Sequence, residues 1–203
     1  MDAKESARSR LLTALVTHAY QYSDEPVFKL VSGALSHEYL DCKMALSQPA
    51  AMVALGEVVH AALLPGVVAV GGLTMGSDPI ANATCQHSAG TDQPVRWFSV
   101  RKDAKAHGRK KRIEGDVSPG QRVAVVDDVV TAGGSVLQAV QACTEFGLEV
   151  AQVIVLVDRE QDEGMRRVRE GAGGAPVTAV FTKSEIRAAW ARRRDAGDPK
   201  RRA

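Results

Sequence analysis

The sequence predicts an α/β fold, a parallel sheet covered by helices on both faces, and three observations predict it. Apolar runs begin near residues 67, 95, 123, 150 and 177, with helical periodicity in most of the intervals; that spacing suits strand–helix–strand crossovers. The runs at 123 and 150 are nearly continuous in Val, Ile and Leu, the pattern of strands buried on both faces. The chain has 203 residues, 45% hydrophobic but only 4% aromatic, which suits one domain with a core of Val, Leu and Ala.

Leu11, Leu12, Leu15, Val16, Ala19 and Tyr20 recur at helical spacing, and Ser6 is placed to cap that helix. VFKLVSGALSHEYLDCK, from residue 27, breaks the alternation. It reads as two short extended pieces around Gly33, and residues 24–45 are expected to form a small antiparallel flap over one end of the sheet. Residues 48–64 are helical by periodicity and stop before Pro65-Gly66. VVAV (67–70) is a strand, followed by the loop GGLTMGSDP. Pro79 starts a helix that Gly90 ends. VRWFSV (95–100) is a strand with Trp97 expected in the core, and 101–120 is a polar connection. Residues 123–130 form a strand, and residues 136–146 a helix stopped by Gly147. VAQVIVLVD (150–158) and VTAVFT (177–182) are strands. TKSE (182–185) has the form of a capping box before a helix through Ala196, which is expected to stand in solvent. Residues 197–203 are expected to be a disordered tail.

The formal charge is only +2, which excludes a global pull toward nucleic acid, but the basic residues are localised. Residues 101–115 and 187–203 each hold seven Lys or Arg against two acids. Cys42, Cys85 and Cys143 lie far apart, with no CxxC or Cys/His cluster. That argues against a disulfide framework or a zinc site and for reduced thiols in the cytoplasm. LLTALV near the N-terminus is too short for a signal segment, and no run approaches a membrane span.

In open α/β sheets, ligands bind beyond the carboxyl ends of the strands. Three loops with unusual contents leave such ends: residues 71–79, 101–115 and 127–135. The third belongs to VAVVDDVVTAGGSV (123–136), in which an apolar strand meets two carboxylates, a glycine turn and a helix. Thr131, Ala132, Gly133, Gly134 and Ser135 can gather backbone N–H groups and hydroxyls on one anion at a helix N-terminus. This is neither GxxxxGK[ST] nor GxGxxG. Two carboxylates would repel a bare phosphate. They suit a ligand with a sugar between, accepting hydrogen bonds from its hydroxyls or holding water on Mg²⁺. Such a stretch calls for a sugar phosphate and a metal.

In this pattern the chain resembles the type I phosphoribosyltransferases. Over residues 24–160 it resembles the orotate phosphoribosyltransferase branch, through VSGALSHEYLDCK, GGLTMGSDPIA, VRKDAKAHGRKKRIEG and VAVVDDVVTAGGSV with the later LVDRE. The resemblance implies a single phosphoribosyltransferase domain. Its reaction would take orotate and phosphoribosyl pyrophosphate (PRPP) to orotidine 5′-monophosphate and pyrophosphate, with Mg²⁺, in UMP synthesis. It implies a homodimer with shared sites. Asp127 and Asp128 would hold the ribose hydroxyls, and Val129, Val130 and Thr131 to Ser135 would surround the 5′-phosphate. Arg101, Lys102, Lys105 and His107 would lie on a mobile loop, 101–115, that stabilises the departing pyrophosphate; Lys105 and His107 would reach the neighbouring subunit's site. Lys105, His107, Asp127 and Asp128 are thus the candidate catalytic residues. Thr131 and Arg159 would contact orotate, whose carboxylate a guanidinium can grip with two parallel hydrogen bonds. Residues 32–39 would cover the base. No protein ligand for the metal is assigned.

The chain departs from many family members at two places. Met75 and Val31 stand where Lys is common, so Gly71 and Gly72 are expected to offer backbone N–H groups to the pyrophosphate instead. The rival within the same chemistry is another base. The rival from another class is a non-catalytic PRPP-binding regulator that meets nucleic acid through residues 109–112 and the tail. Nucleic acid and membrane partners are not expected. His18, His37, His60 and His87 are isolated and expected to be structural or on the surface.

Overall fold

The computed structural model describes residues 6–29, 33–102, 112–161 and 163–197. Its centre is a six-stranded sheet built from β5 (Ala69–Leu73), β6 (Arg96–Val100), β7 (Ile113–Gly115), β8 (Arg122–Val130), β9 (Glu149–Asp158) and β10 (Val177–Thr182). The order is β10-β9-β8-β5-β6-β7, parallel throughout except for β7, which runs antiparallel to β6. From β5 the chain winds outward to β6; from β8 it winds the other way, to β9 and β10. The gap between β5 and β8 is therefore a topological switch point, the place where such sheets bind ligands.

Strand periodicity divides the core into two layers. Val70, Ala124, Val126, Ile154, Leu156 and Phe181 face one apolar cluster, with α1 (Ala7–Ala14), α3 (Pro49–Ala61), α4 (Asp78–Ser88) and α7 (Lys183–Asp195). Ala69, Val123, Val125, Val153 and Val155 face the other, with α5 (Gly134–Phe146) and α6 (Gly164–Gly171). Helices on both faces were the expectation, and the near-continuous valine runs are its cause. No helix among the described residues is long and apolar enough to cross a membrane.

Several elements differ from the sequence expectation. The first helix ends in a π-helical turn, Leu15–Ala19, and Tyr20 opens β1 (Tyr20–Tyr22) instead of closing the helix. Helix α2 (Cys42–Leu46) was not expected. It is a single turn, too short to show periodicity, started by the Asp41 side chain accepting from the Lys43 N–H. Gly71 and Gly72 lie inside β5, not in a loop. A Cβ on Gly71 would meet the Phe98 carbonyl at 2.2 Å, and one on Gly72 the Val126 carbonyl at 2.2 Å, so only glycine lets the neighbouring strands approach. Residues 113–115 form β7 where a loop was expected. Helix α6 was missed because its eight residues include two glycines and bury little besides Met165 and Val168.

The two tryptophans exchange their expected places. Trp97 is 41% exposed, because alternation along β6 turns Phe98 and Val100 inward. Trp190 is buried, and α7 is docked, not solvated. Ile186 and Trp190, four residues apart, enter the core, with the Trp190 ring 5.7 Å from Tyr20 and 5.1 Å from Tyr22. The capping geometry at Thr182 is as expected, its hydroxyl accepting from the Glu185 N–H.

The flap consists of two short antiparallel ribbons. β1 pairs with β4 (Glu38–Leu40), and β2 (Phe28–Lys29) pairs with β3 (Leu35–Ser36). Glu38 ties it to the last helix, with Lys183 Nζ at 3.3 Å and an Arg187 guanidinium nitrogen at 3.0 Å. Val31, Ser32 and residues 198–203 of the expected tail lie outside the described residues.

Candidate active site

Asp127 and Asp128 do not begin a loop; β8 carries them and continues through Val130. Val129 and Val130 pair with Val157 and Asp158 of β9, so they shape the site as strand residues. On the other side, β5 leaves β8 after the Gly71–Val125 pairing. The carboxylates therefore stand at an opened edge of the switch point. Alternation sends them to opposite sides of the strand, Asp127 following Val123 and Val125, Asp128 following Ala124 and Val126.

The loop after β5 closes over this edge. A Cβ on Gly76 would lie 2.5 Å from Asp128 Oδ1 and 2.7 Å from Asp127 Oδ1, so the backbone there is seated against both acids. Asp78 anchors that loop, accepting from the Thr74 hydroxyl at 2.6 Å and from the Ser99 hydroxyl at 2.8 Å. Met75 is exposed. Neither Gly76 nor Asp78 was singled out from sequence, although the glycine in GGLTMG was the available signal.

Both acids are buried, Asp127 at 5% and Asp128 at 8% exposure. Burial, and then the Asp128 charge, push the Asp127 carboxyl up to about 7. Asp127 Oδ1 accepts from the Asp128 N–H at 3.1 Å. From α2, Lys43 Nζ donates to Asp128 Oδ2 at 2.9 Å, and that bond raises the lysine's pKa. Cys42 lies completely buried beside them; burial first, then the Asp128 charge, push its thiol well up, so it is no nucleophile.

After β8 the chain turns through Thr131, Ala132 and Gly133 into α5. Gly133 has φ +84°, and a Cβ there would meet Val168 at 2.8 Å and the Gly164 carbonyl at 2.9 Å, so its glycine is doubly required. Gly134 faces open space, and Ala132, Gly134 and Ser135 are exposed. Helix α6 braces the turn: a Cβ on Gly164 would lie 2.0 Å from the Thr131 carbonyl oxygen. The turn thus presents a helix N-terminus to solvent at the end of the strand that carries the acid pair, as an anion cradle requires.

Arg159 follows β9 and is fastened to the cradle strand, its N–H donating to the Val130 carbonyl at 3.0 Å. Its Nε is buried and has no hydrogen-bond partner among the described residues. A buried guanidinium nitrogen left open suits a ligand that accepts. A narrow pocket lined by Tyr20, Glu38, Tyr39, Arg159 and Lys183 joins it to the flap. Tyr39 is partly exposed and its ring stacks on Phe28, with centroids 5.8 Å apart.

The expected loop cations are brought in only in part. The Arg101 N–H donates to the Arg112 carbonyl at 2.8 Å, closing the loop's base, and the Arg101 guanidinium is held by Glu114 at 2.9 Å. The Lys102 carbonyl accepts from Gln138 on α5 at 3.3 Å. Lys105 and His107 lie outside the described residues. No group of three or more His, Cys, Asp or Glu capable of holding a metal occurs among the described residues. Two adjacent carboxylates, Asp127 and Asp128, are a donor set that suits a Mg²⁺ ion keeping most of its water.

Residues 68–170, from β5 to α6, match the phosphoribosyl transferase domain family. The orotate phosphoribosyltransferase of Aquifex aeolicus is 43% identical over 180 residues, covering 88% of this chain and 97% of that one. The chain belongs to the orotate phosphoribosyltransferase family. The Synechocystis orotate phosphoribosyltransferase is 40% identical over 88% of both chains. Among solved structures, the Mycobacterium tuberculosis orotate phosphoribosyltransferase in complex with inorganic phosphate matches with a TM-score of 0.74 at 30% identity, covering 89% of this chain and 98% of that one. The same enzyme in complex with PRPP matches with a TM-score of 0.68 at 28% identity, covering 89% and 91%.

Proposed function

We propose that the protein transfers the phosphoribosyl group of Mg²⁺-bound PRPP to orotate, giving orotidine 5′-monophosphate and pyrophosphate, in the synthesis of UMP. The observation that carries this reading is a buried acid pair on β8 and an open helix N-terminus after it, beside a buried Arg159 guanidinium nitrogen at the end of β9 that has no hydrogen-bond partner among the described residues.

A ring nitrogen of orotate forms the new bond to the anomeric carbon and gives up its proton, while the bond from that carbon to pyrophosphate breaks and pyrophosphate leaves with the electron pair. The protein supplies positioning and charge. Asp127 and Asp128 accept from the ribose hydroxyls, and their negative charge favours the cationic character that the sugar gains. Thr131 to Ser135 hold the 5′-phosphate at the N-terminus of α5. Arg159 grips the orotate carboxylate, and the flap around Tyr39 closes over the base. Lys105 and His107, with Arg101 once Glu114 releases it, meet the charge developing on pyrophosphate. Gly71 and Gly72 are strand residues within β5, so the turn at residues 74–77 is our candidate to offer backbone N–H groups to the pyrophosphate. Mg²⁺ bound with PRPP near Asp127 and Asp128 would neutralise part of the diphosphate's charge.

The working unit is a homodimer in which the loop of one subunit serves the other's site. The free thiols of Cys42, Cys85 and Cys143 suit a reducing cytoplasm. The test is pyrophosphate release from PRPP and Mg²⁺ with orotate, uracil, hypoxanthine, guanine, adenine or no base. Release with orotate alone is expected. Release with another base sinks the substrate assignment, and none with any base from folded dimer sinks the enzyme reading.

A further inference from the structure

We propose that Lys43 is a positioning residue of the sugar site, which holds the Asp128 carboxylate aimed at the ribose and makes the flap's exit helix part of PRPP recognition. The inference rests on the reading of Asp127 and Asp128 as the ribose-binding pair.

Two adjacent carboxylates, both nearly buried, lose hydration and repel each other, so a cation held against one of them offsets both costs. Lys43 is the cation paired with Asp128 among the described residues, at 2.9 Å. Its own partner beyond that is Asp41, the cap of α2, at 4.0 Å. The Asp128 side chain is 11% exposed and the Lys43 side chain 51%, so the ammonium sits at the mouth of the site and reaches inward. It engages Oδ2, while Gly76 is seated against Oδ1. The carboxylate is thus fixed from two sides, by a backbone after β5 and by a side chain from α2.

Lys43 also stands at a junction. β4 of the flap ends at Leu40, Asp41 caps α2, and Lys43 is the second residue of that helix. The flap covers the base pocket at one end of this segment, and Lys43 touches the sugar site at the other. A carboxylate accepting from hydroxyls in its charged state forms hydrogen bonds about twice as strong as neutral ones. Losing Lys43 frees Asp128 Oδ2 from its fixed position and leaves a nearly buried carboxylate without its cation, which weakens its grip on a diol.

The test compares Lys43→Met and Lys43→Arg with the unchanged protein. PRPP binding is measured directly by calorimetry with Mg²⁺ and no base, and kcat and KM are measured with orotate. Lys43→Met is expected to weaken PRPP binding and raise its KM roughly tenfold to a hundredfold, with a smaller change in kcat, and Lys43→Arg to recover most of it. A melting temperature close to the unchanged protein's marks the Met variant as folded; if it is not folded, Lys43→Gln takes its place in the same comparison. Unchanged PRPP affinity in a folded variant overturns the proposal. Tighter binding also overturns it, since it would make the ion pair a competitor of the substrate. Because calorimetry needs no base, a protein that binds PRPP without using orotate would refute the substrate assignment and leave the role of Lys43 still measurable.

Discussion

Asp127→Asn should stabilise the protein while disabling it, and the gain should depend on pH. In the fold, burial and the neighbouring Asp128 raise the Asp127 carboxyl from 3.8 to about 7. A carboxylate whose folded pKa is raised is tolerated in its protonated form. Its contribution to stability is therefore intact below pH 4 and is lost progressively as pH rises through 7. Three units correspond to about 4 kcal/mol between the two ends of that window. Asn keeps the oxygen that accepts from the Asp128 N–H and carries no charge, so it escapes this loss. The variant should match the wild type near pH 4, exceed it by roughly 2 kcal/mol at pH 5, and by about 4 kcal/mol at pH 8. For a chain of this size each kcal/mol is worth about 2–4 °C in Tm. The assay is thermal unfolding of both proteins at fixed concentration and ionic strength from pH 4 to 8, beside PRPP turnover. A Tm difference that does not grow with pH would refute the argument that burial holds a proton on Asp127.

Gly76→Ala should raise the KM for PRPP at least tenfold, because the new Cβ must displace both acids; the strain of overpacking, about 1–3 kcal/mol, bounds the accompanying fall in Tm. Arg159→Ala should raise the KM for orotate about tenfold to a hundredfold and leave PRPP affinity unchanged, as titration with each ligand would reveal. Lys105→Ala should lower kcat by roughly a hundredfold or more with little change in PRPP binding, and equal losses in both would argue against a transition-state role. Chelating Mg²⁺ should abolish turnover while leaving Tm without substrate unchanged, since the ion comes with the diphosphate; a lower Tm would reveal a resident metal.

The sheet was legible because buried parallel strands must be nearly all apolar, and the cradle because a glycine turn after such a strand leaves few alternatives. Elements whose cause is not periodicity were illegible. Helix α2 exists through one capping bond at Asp41, and β7 through pairing with β6. Helix α7 looked solvated because two apolar residues among many arginines give no stripe, yet Trp190 finds two tyrosines from β1. Within the site, the residues that react with a ligand carry chemical signatures, and the residues that hold them do not. Lys43 and Gly76 become visible only when a contact from 85 residues away in sequence, or a missing Cβ, is measured.

One difficulty in the sequence was that two carboxylates beside a phosphate cradle should repel the phosphate. The placement of the acids inside β8 resolves it. Two residues of strand, Val129 and Val130, separate Asp128 from Thr131, three steps or about 10 Å of extended chain. With an effective dielectric near 20, two unit charges repel by about 4 kcal/mol at 4 Å but by less than 2 kcal/mol at 10 Å. Lys43 on Asp128 and the retained proton on Asp127 reduce that remainder before any ligand arrives. On the proposed function, that spacing leaves room for a sugar between the acids and the helix N-terminus. Had the loop begun at Asp127, the acids would have stood among the cradle's own N–H groups and satisfied them in the phosphate's place.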